Sequence, residues 1–160
     1  MRISSLLPTL AFALIATSGP AVRAQDVKLQ RVWPSYRDAA SFTRLSEYFG
    51  GSPDTTNRDA LRTDPSARAG FYWLIRTISA TDLAGCSFKL ELQRDGQTEP
   101  TVHTFPYALT AGSHAVNLGL TGADWPDSAE RPLAWQLSLL APNGTPLVSE
   151  HSFLWQQPTD

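Results

Sequence analysis

Alternation of apolar and polar residues, the mark of half-buried β-strands, recurs along this chain. The densest apolar run is at residues 70–77, Gly-Phe-Tyr-Trp-Leu-Ile-Arg-Thr. Phe71, Trp73 and Ile75 fall on one face, with Tyr72, Leu74 and Arg76 on the other. Both faces are largely apolar, which predicts a central strand covered on both sides.

Upstream, Val27, Leu29, Arg31 and Trp33 alternate with Lys28, Gln30 and Val32, a first strand expected to stop at Pro34. Phe42, Leu45 and Phe49 then recur at helical spacing over residues 39–49. Asp38 is suited to cap that helix and Gly50-Gly51 to end it. Residues 51–69 show no period and read as a long irregular loop.

Downstream the alternation is cleaner. A turn at residues 81–85 leads into Cys86, Phe88, Leu90 and Leu92, interleaved with Ser87, Lys89, Glu91 and Gln93. One wet face of this kind points to an antiparallel sheet. Arg94-Asp95-Gly96 is a hairpin signal, and strands are expected over residues 101–109 and 114–120. Residues 121–132 form a polar loop around Trp125, and Trp135, Leu137 and Leu139 mark another strand. Pro142-Asn143-Gly144 is the strongest hairpin turn in the chain. Leu147, Ser149, His151, Phe153 and Trp155 would share one face of the closing strand, with a frayed tail over residues 156–160.

About seven short strands separated by turn chemistry predict an all-β, antiparallel sandwich with one short helix near its start. In strand number and order of turns this layout is similar to immunoglobulin-like and fibronectin-like sandwiches. The Cys…Trp…Cys spacing of true immunoglobulin domains is absent. Cys86 is the single cysteine, which forbids an intrachain disulfide. Its strand partners make it a small buried hydrophobe.

The first residues change the picture of where the domain works. Arg2, the apolar stretch of residues 6–16 and Val22-Arg23-Ala24 have the order of a cleavable export signal. The apolar stretch is too short to span a bilayer. Cleavage after Ala24 leaves residues 25–160 as a single domain and moves the side-chain charge from −2 to −4. A mildly acidic chain has no electrostatic footprint for nucleic acid or anionic membranes.

Candidate chemistry is sparse. Nucleophile-elbow, zincin, Walker, dinucleotide and EF-hand motifs are all missing, and no cofactor is implied. Arg58, Arg62 and Arg68, interleaved with Asp54, Asp59 and Asp64, make either a charge-balanced loop or an anion site. His103, His114 and His151 each lie on an apolar strand face. Converging, they would form an open metal site. Trp125, flanked by Asp124 and Asp127, would stack on a sugar ring if exposed, or plug one end of the sandwich if buried. Asn143-Gly144-Thr145 matches a glycosylation pattern that the turn alone accounts for. Tyr36, Arg37 and Asp38 suggest a local surface ion pair.

The expected function is therefore an exported, non-catalytic binding or protein-interaction module for a protein or carbohydrate partner. Its contact surfaces would be the 51–69 segment, the Trp125 loop or an open sheet edge. The alternative is a small metal-dependent or hydrolytic enzyme built on the three histidines with Asp124 or Asp127.

Overall fold

The computed structural model describes residues 26–42 and 59–155. The export signal, residues 43–58 (which hold most of the predicted helix, Asp54 and Arg58) and the 156–160 tail lie outside them. Eight strands build two four-stranded sheets: β1 (Val27–Arg37), β2 (Asp59–Arg62), β3 (Gly70–Ser79), β4 (Leu83–Gln93), β5 (Thr101–Leu109), β6 (Gly112–Thr121), β7 (Ala134–Leu140) and β8 (Pro146–His151). One sheet has the order β1-β3-β6-β2 and the other β5-β4-β7-β8. All neighbours run antiparallel except β2, which lies parallel to β6.

The predicted central strand is β3, held between β1 and β6. Phe71, Trp73 and Ile75 point into the seam between the sheets, where they meet Phe88, Leu90, Leu118, Leu137 and Leu139. Trp73 has 0% of its surface exposed. Each such side chain contributes about 1.5–3 kcal/mol on burial. Trp73 still leaves its indole N–H without an acceptor, a cost the surrounding apolar contacts offset. Cys86 is buried in the same seam as expected, and burial pushes its thiol pKa up.

On the outer face of β3, Tyr72 is also fully buried. Its ring lies 4.7 Å from that of Phe42 and packs against Gly119 on β6. A Cβ at Gly119 would run into that ring. Glycine at this position is what lets the two backbones carry a tyrosine between them.

Several expectations change at the edges. β1 does not stop at Pro34 but runs on to Arg37, with Pro34 paired opposite Trp73. Proline is tolerated because β1 is an edge strand. A bulge at Gln30 also shifts the register, so Val32 and Tyr36 turn towards the core in place of Arg31 and Trp33. Trp33 ends 61% exposed. In β8 a second shift falls at Leu147. Leu147 and Val148 pack on the core, while Ser149 pairs its hydroxyl with that of Ser138 at 2.8 Å. The strand ends at His151, and Phe153 is 97% exposed.

The segment expected to be irregular contains β2, and the expected turn at residues 81–85 is shorter: the chain bends at residues 80–81, and β4 already starts at Leu83, with a bulge between Leu83 and Cys86. Of the predicted helix, the described part is a single 3₁₀ turn, Ala39–Phe42. Asp38 caps it, accepting from the Ser41 backbone N–H at 2.8 Å and the Ser41 hydroxyl at 2.6 Å. These bonds, not an ion pair with Arg37, hold the Asp38 carboxyl below its usual pKa. Arg37 instead lies over the Phe42 ring at 5.7 Å. The Pro142-Asn143-Gly144 turn forms as predicted: Asn143 Oδ1 accepts from the Thr145 N–H at 3.0 Å, and Gly144 takes a φ of 82°.

Replacing Gly119 with alanine should cost about 1–3 kcal/mol, the range for overpacking a filled site, measured by urea unfolding. The exposed Trp33→Ala should change stability by less than about 0.5 kcal/mol. Equal losses for the two would show that the outer face of β3 is not packed as described.

Candidate functional site

The two open sides of the sandwich are built differently. On one side, β1 and β8 pack against each other. Each carries a proline and a bulge that disrupt its outer edge. On the other side, β2 and β5 stand apart and leave a cleft of about 500 Å³, a volume typical of ligand sites.

Backbone alternation decides what this cleft presents. The Thr63 N–H donates to the Gly119 carbonyl of β6 at 3.0 Å. By alternation, Ala60 and Arg62 turn their N–H and C=O groups away from β6, towards the open side. On β5, Pro106 has no N–H to give to β4 and so faces outward. Val102 and Thr104 share its parity, and their peptide groups face outward with it.

The chemistry at one end comes from His103 and Asp124, both lining the cleft. Asp124 ends a 3₁₀ turn, Gly122–Asp124, that begins where Gly122 takes a φ of 61°. Arg94 fixes this turn. Its guanidinium stacks over the Trp125 ring at 4.4 Å, donates to the Asp124 backbone carbonyl and lies 3.7 Å from the Glu130 carboxylate. The Asp124 carboxylate itself has no hydrogen bond or ion pair among the described residues. His103 leaves Nε2 buried without a partner. Burial lowers the His103 pKa, Asp124 pulls it back up, and Arg94 pushes it further down. The net result is an imidazole held neutral more firmly than usual.

A second polar seam joins Thr63 and Asp64, which follow β2, to Thr121 at the end of β6. The Thr121 hydroxyl accepts from the Asp64 N–H at 3.0 Å and donates to the Asp64 carbonyl at 2.8 Å, while Thr63 Oγ1 accepts from the Thr121 N–H at 3.0 Å. Asp64 Oδ1 is occupied by the N–H and hydroxyl of Ser66, which depress its pKa.

The other predicted site residues lie elsewhere. His114 sits at the far end of β6, its Nε2 2.8 Å from the Ala111 carbonyl. His151 ends β8, on the opposite edge of the sheet from His103. No group of three or more His, Cys, Asp or Glu among the described residues is placed to hold a metal. Arg62 points its side chain to the outer face, donating Nε to the Tyr72 hydroxyl at 2.8 Å, and its guanidinium lies 5.1 Å from the Phe42 ring centre. The Tyr72 hydroxyl donates onward to the Arg68 carbonyl at 2.7 Å. The Tyr72 hydroxyl thus links the Arg62 side chain to the Arg68 backbone.

Trp125 is 2% exposed, with its ring 4.8 Å from that of Phe71. It plugs the end of the sandwich and leaves no ring face for a sugar. Asp127 is exposed and accepts from the Ala129 N–H. Sequence reasoning did not point to the open peptide groups of Ala60 and Thr104.

No protein-family model matches this chain, and no curated protein matches it. Among the described residues no helix is long and apolar enough to cross a membrane.

His103 yields a pH prediction. Its folded pKa lies below the usual 6.5, so the unfolded chain binds the proton more readily. Its contribution to stability is complete above about pH 6.5 and is lost as pH falls through the lowered folded value. The wild-type midpoint of thermal unfolding should therefore fall between pH 7 and 5, and His103→Gln should flatten that slope. The Asp38 and Asp64 carboxyls titrate below their usual 3.8, outside this window. An unchanged slope in His103→Gln would contradict the burial of His103.

Proposed function

We propose that this chain is an exported, non-catalytic binding module on an immunoglobulin/fibronectin-like sandwich, and that its ligand lies in the cleft between β2 and β5. The observation that carries this is the asymmetry of the fold. The β1–β8 side is shut, whereas the β2–β5 side presents in one concave site a neutral imidazole together with peptide groups and a carboxylate that are unpaired among the described residues. The order of β1-β3-β6 against β5-β4-β7-β8 supports the sandwich type, with β2 as an addition at the edge. The order of charges and apolar residues at the N-terminus supports export.

A small hydrolase is the second reading, favoured by one observation: His103 and Asp124 share the cleft. As a general base His103 would need a nucleophile within hydrogen-bond reach. The hydroxyl-bearing residues that line the cleft are Thr63 and Thr104, and Thr63 Oγ1 is already engaged with Thr121.

Titration of ¹⁵N-labelled protein with a panel of extended peptides and oligosaccharides tests the site. Amide shifts should be confined to residues 60–63, 103–105 and 124. Shifts centred on Asp127 or Asn143, or none from the whole panel, would overturn the cleft assignment. Export is checked separately by N-terminal sequencing of protein recovered from outside the cytoplasm. The first residue should be Gln25, and an intact Met1 start would contradict processing.

A further inference from the structure

We infer that the ligand of this cleft is an extended polypeptide segment carrying a lysine or arginine, its main chain paired with the open edges and its cation set against Asp124. This rests on the cleft being the binding site and names what it takes.

Two independent features lead there. The first is backbone supply. Thr104 on β5 and Ala60 and Arg62 on β2 turn N–H and C=O groups towards the same space, and among the described residues the β-ladders leave these groups unpaired. An extended segment laid alongside β5 would complete the ladder of that sheet, the mode by which edge strands capture peptides. Pro106 interrupts β5 beyond this point, and β2 has four residues, so the usable stretch is short. That limits uncontrolled growth of the sheet while leaving room for a few paired residues.

The second feature is charge. Asp124 offers a carboxylate with no partner among the described residues, and neutral His103 beside it offers no competing cation. Among the described residues, Arg94 is a positive group in contact with the Gly122–Asp124 turn. It is engaged with the Trp125 ring, the Asp124 backbone carbonyl and Glu130, and Glu130 offsets its charge. Arg62 carries its guanidinium to the outer face, against Tyr72 and Phe42. A lysine or arginine side chain descending from a paired strand would therefore meet an unneutralised carboxylate, and charge-assisted hydrogen bonds of this kind are the stronger ones. Trp125 is closed to sugar stacking, which removes the main aromatic platform a carbohydrate would use.

The test uses the full mature chain and the probe acetyl-Thr-Val-Lys-Val-amide, read by calorimetry and amide shifts. Saturable binding with shifts at Ala60, Arg62 and Thr104 is the expected result. Exchange of the probe lysine for glutamine, and Asp124→Asn in the protein, should each weaken it tenfold or more. Thr104→Pro removes the outward donor alone, since that residue gives nothing to β4, and should abolish binding with little change in the unfolding midpoint. If Thr104→Pro fails to fold, a probe methylated at alternate amides carries the same comparison. Equal affinity for the glutamine probe would overturn the charge assignment. Binding of maltotetraose at the same residues, with none by the peptide, would overturn the peptide class while leaving the cleft standing. Absence of binding to every probe would overturn both.

Discussion

The dry seam between the two sheets is the constraint from which the rest of this structure follows. Trp73 and its neighbours on β3 are buried against β4, β6 and β7. Four inner strands must therefore stay in register, because a slip of one residue would turn a whole apolar set to water. The outer strands are under no such demand. They carry the prolines, the shortest strand and the bulges at Gln30 and Leu147, while the inner strand β4 has a bulge at its start, between Leu83 and Cys86. The protein concentrates its stability in the middle and its irregularity at the margins.

Those margins are not equivalent. Where β1 and β8 meet, the two sheets close on each other. Where β2 and β5 face each other they do not, and the Gly122–Asp124 turn brings a carboxylate to that gap. Arg94 is the link between core and gap: it stacks on the plug residue Trp125 while gripping the backbone of Asp124. Packing of the end of the sandwich thereby sets the position of Asp124, whose carboxylate has no partner among the described residues.

The inner strands were legible because their side chains alternate without interruption. Phe88, Leu90 and Leu92, or Trp135, Leu137 and Leu139, face inward as their spacing implies. Edges were not. One extra residue at Gln30 and another at Leu147 invert the phase of everything beyond them, and neither bulge has a mark in composition. β2 escaped notice because four residues paired parallel to β6 need no pattern of their own. Pro34 looked like a stop and is not, since an edge strand has a side on which a missing N–H costs nothing. Of the site, His103 and Asp124 stood out separately by residue type. Only the folding of β5 beside the residue 122–124 turn selects that pair from the other histidines and from Asp127.

Hydrogen exchange on the free protein measures the central claim directly. Inward-facing amides of β3, β4, β6 and β7 should exchange only through global unfolding, while those of Ala60, Arg62, Val102 and Thr104 exchange within the fastest class. Strong protection at those four positions, matching that of the inner strands, would mean the β2–β5 side is already closed.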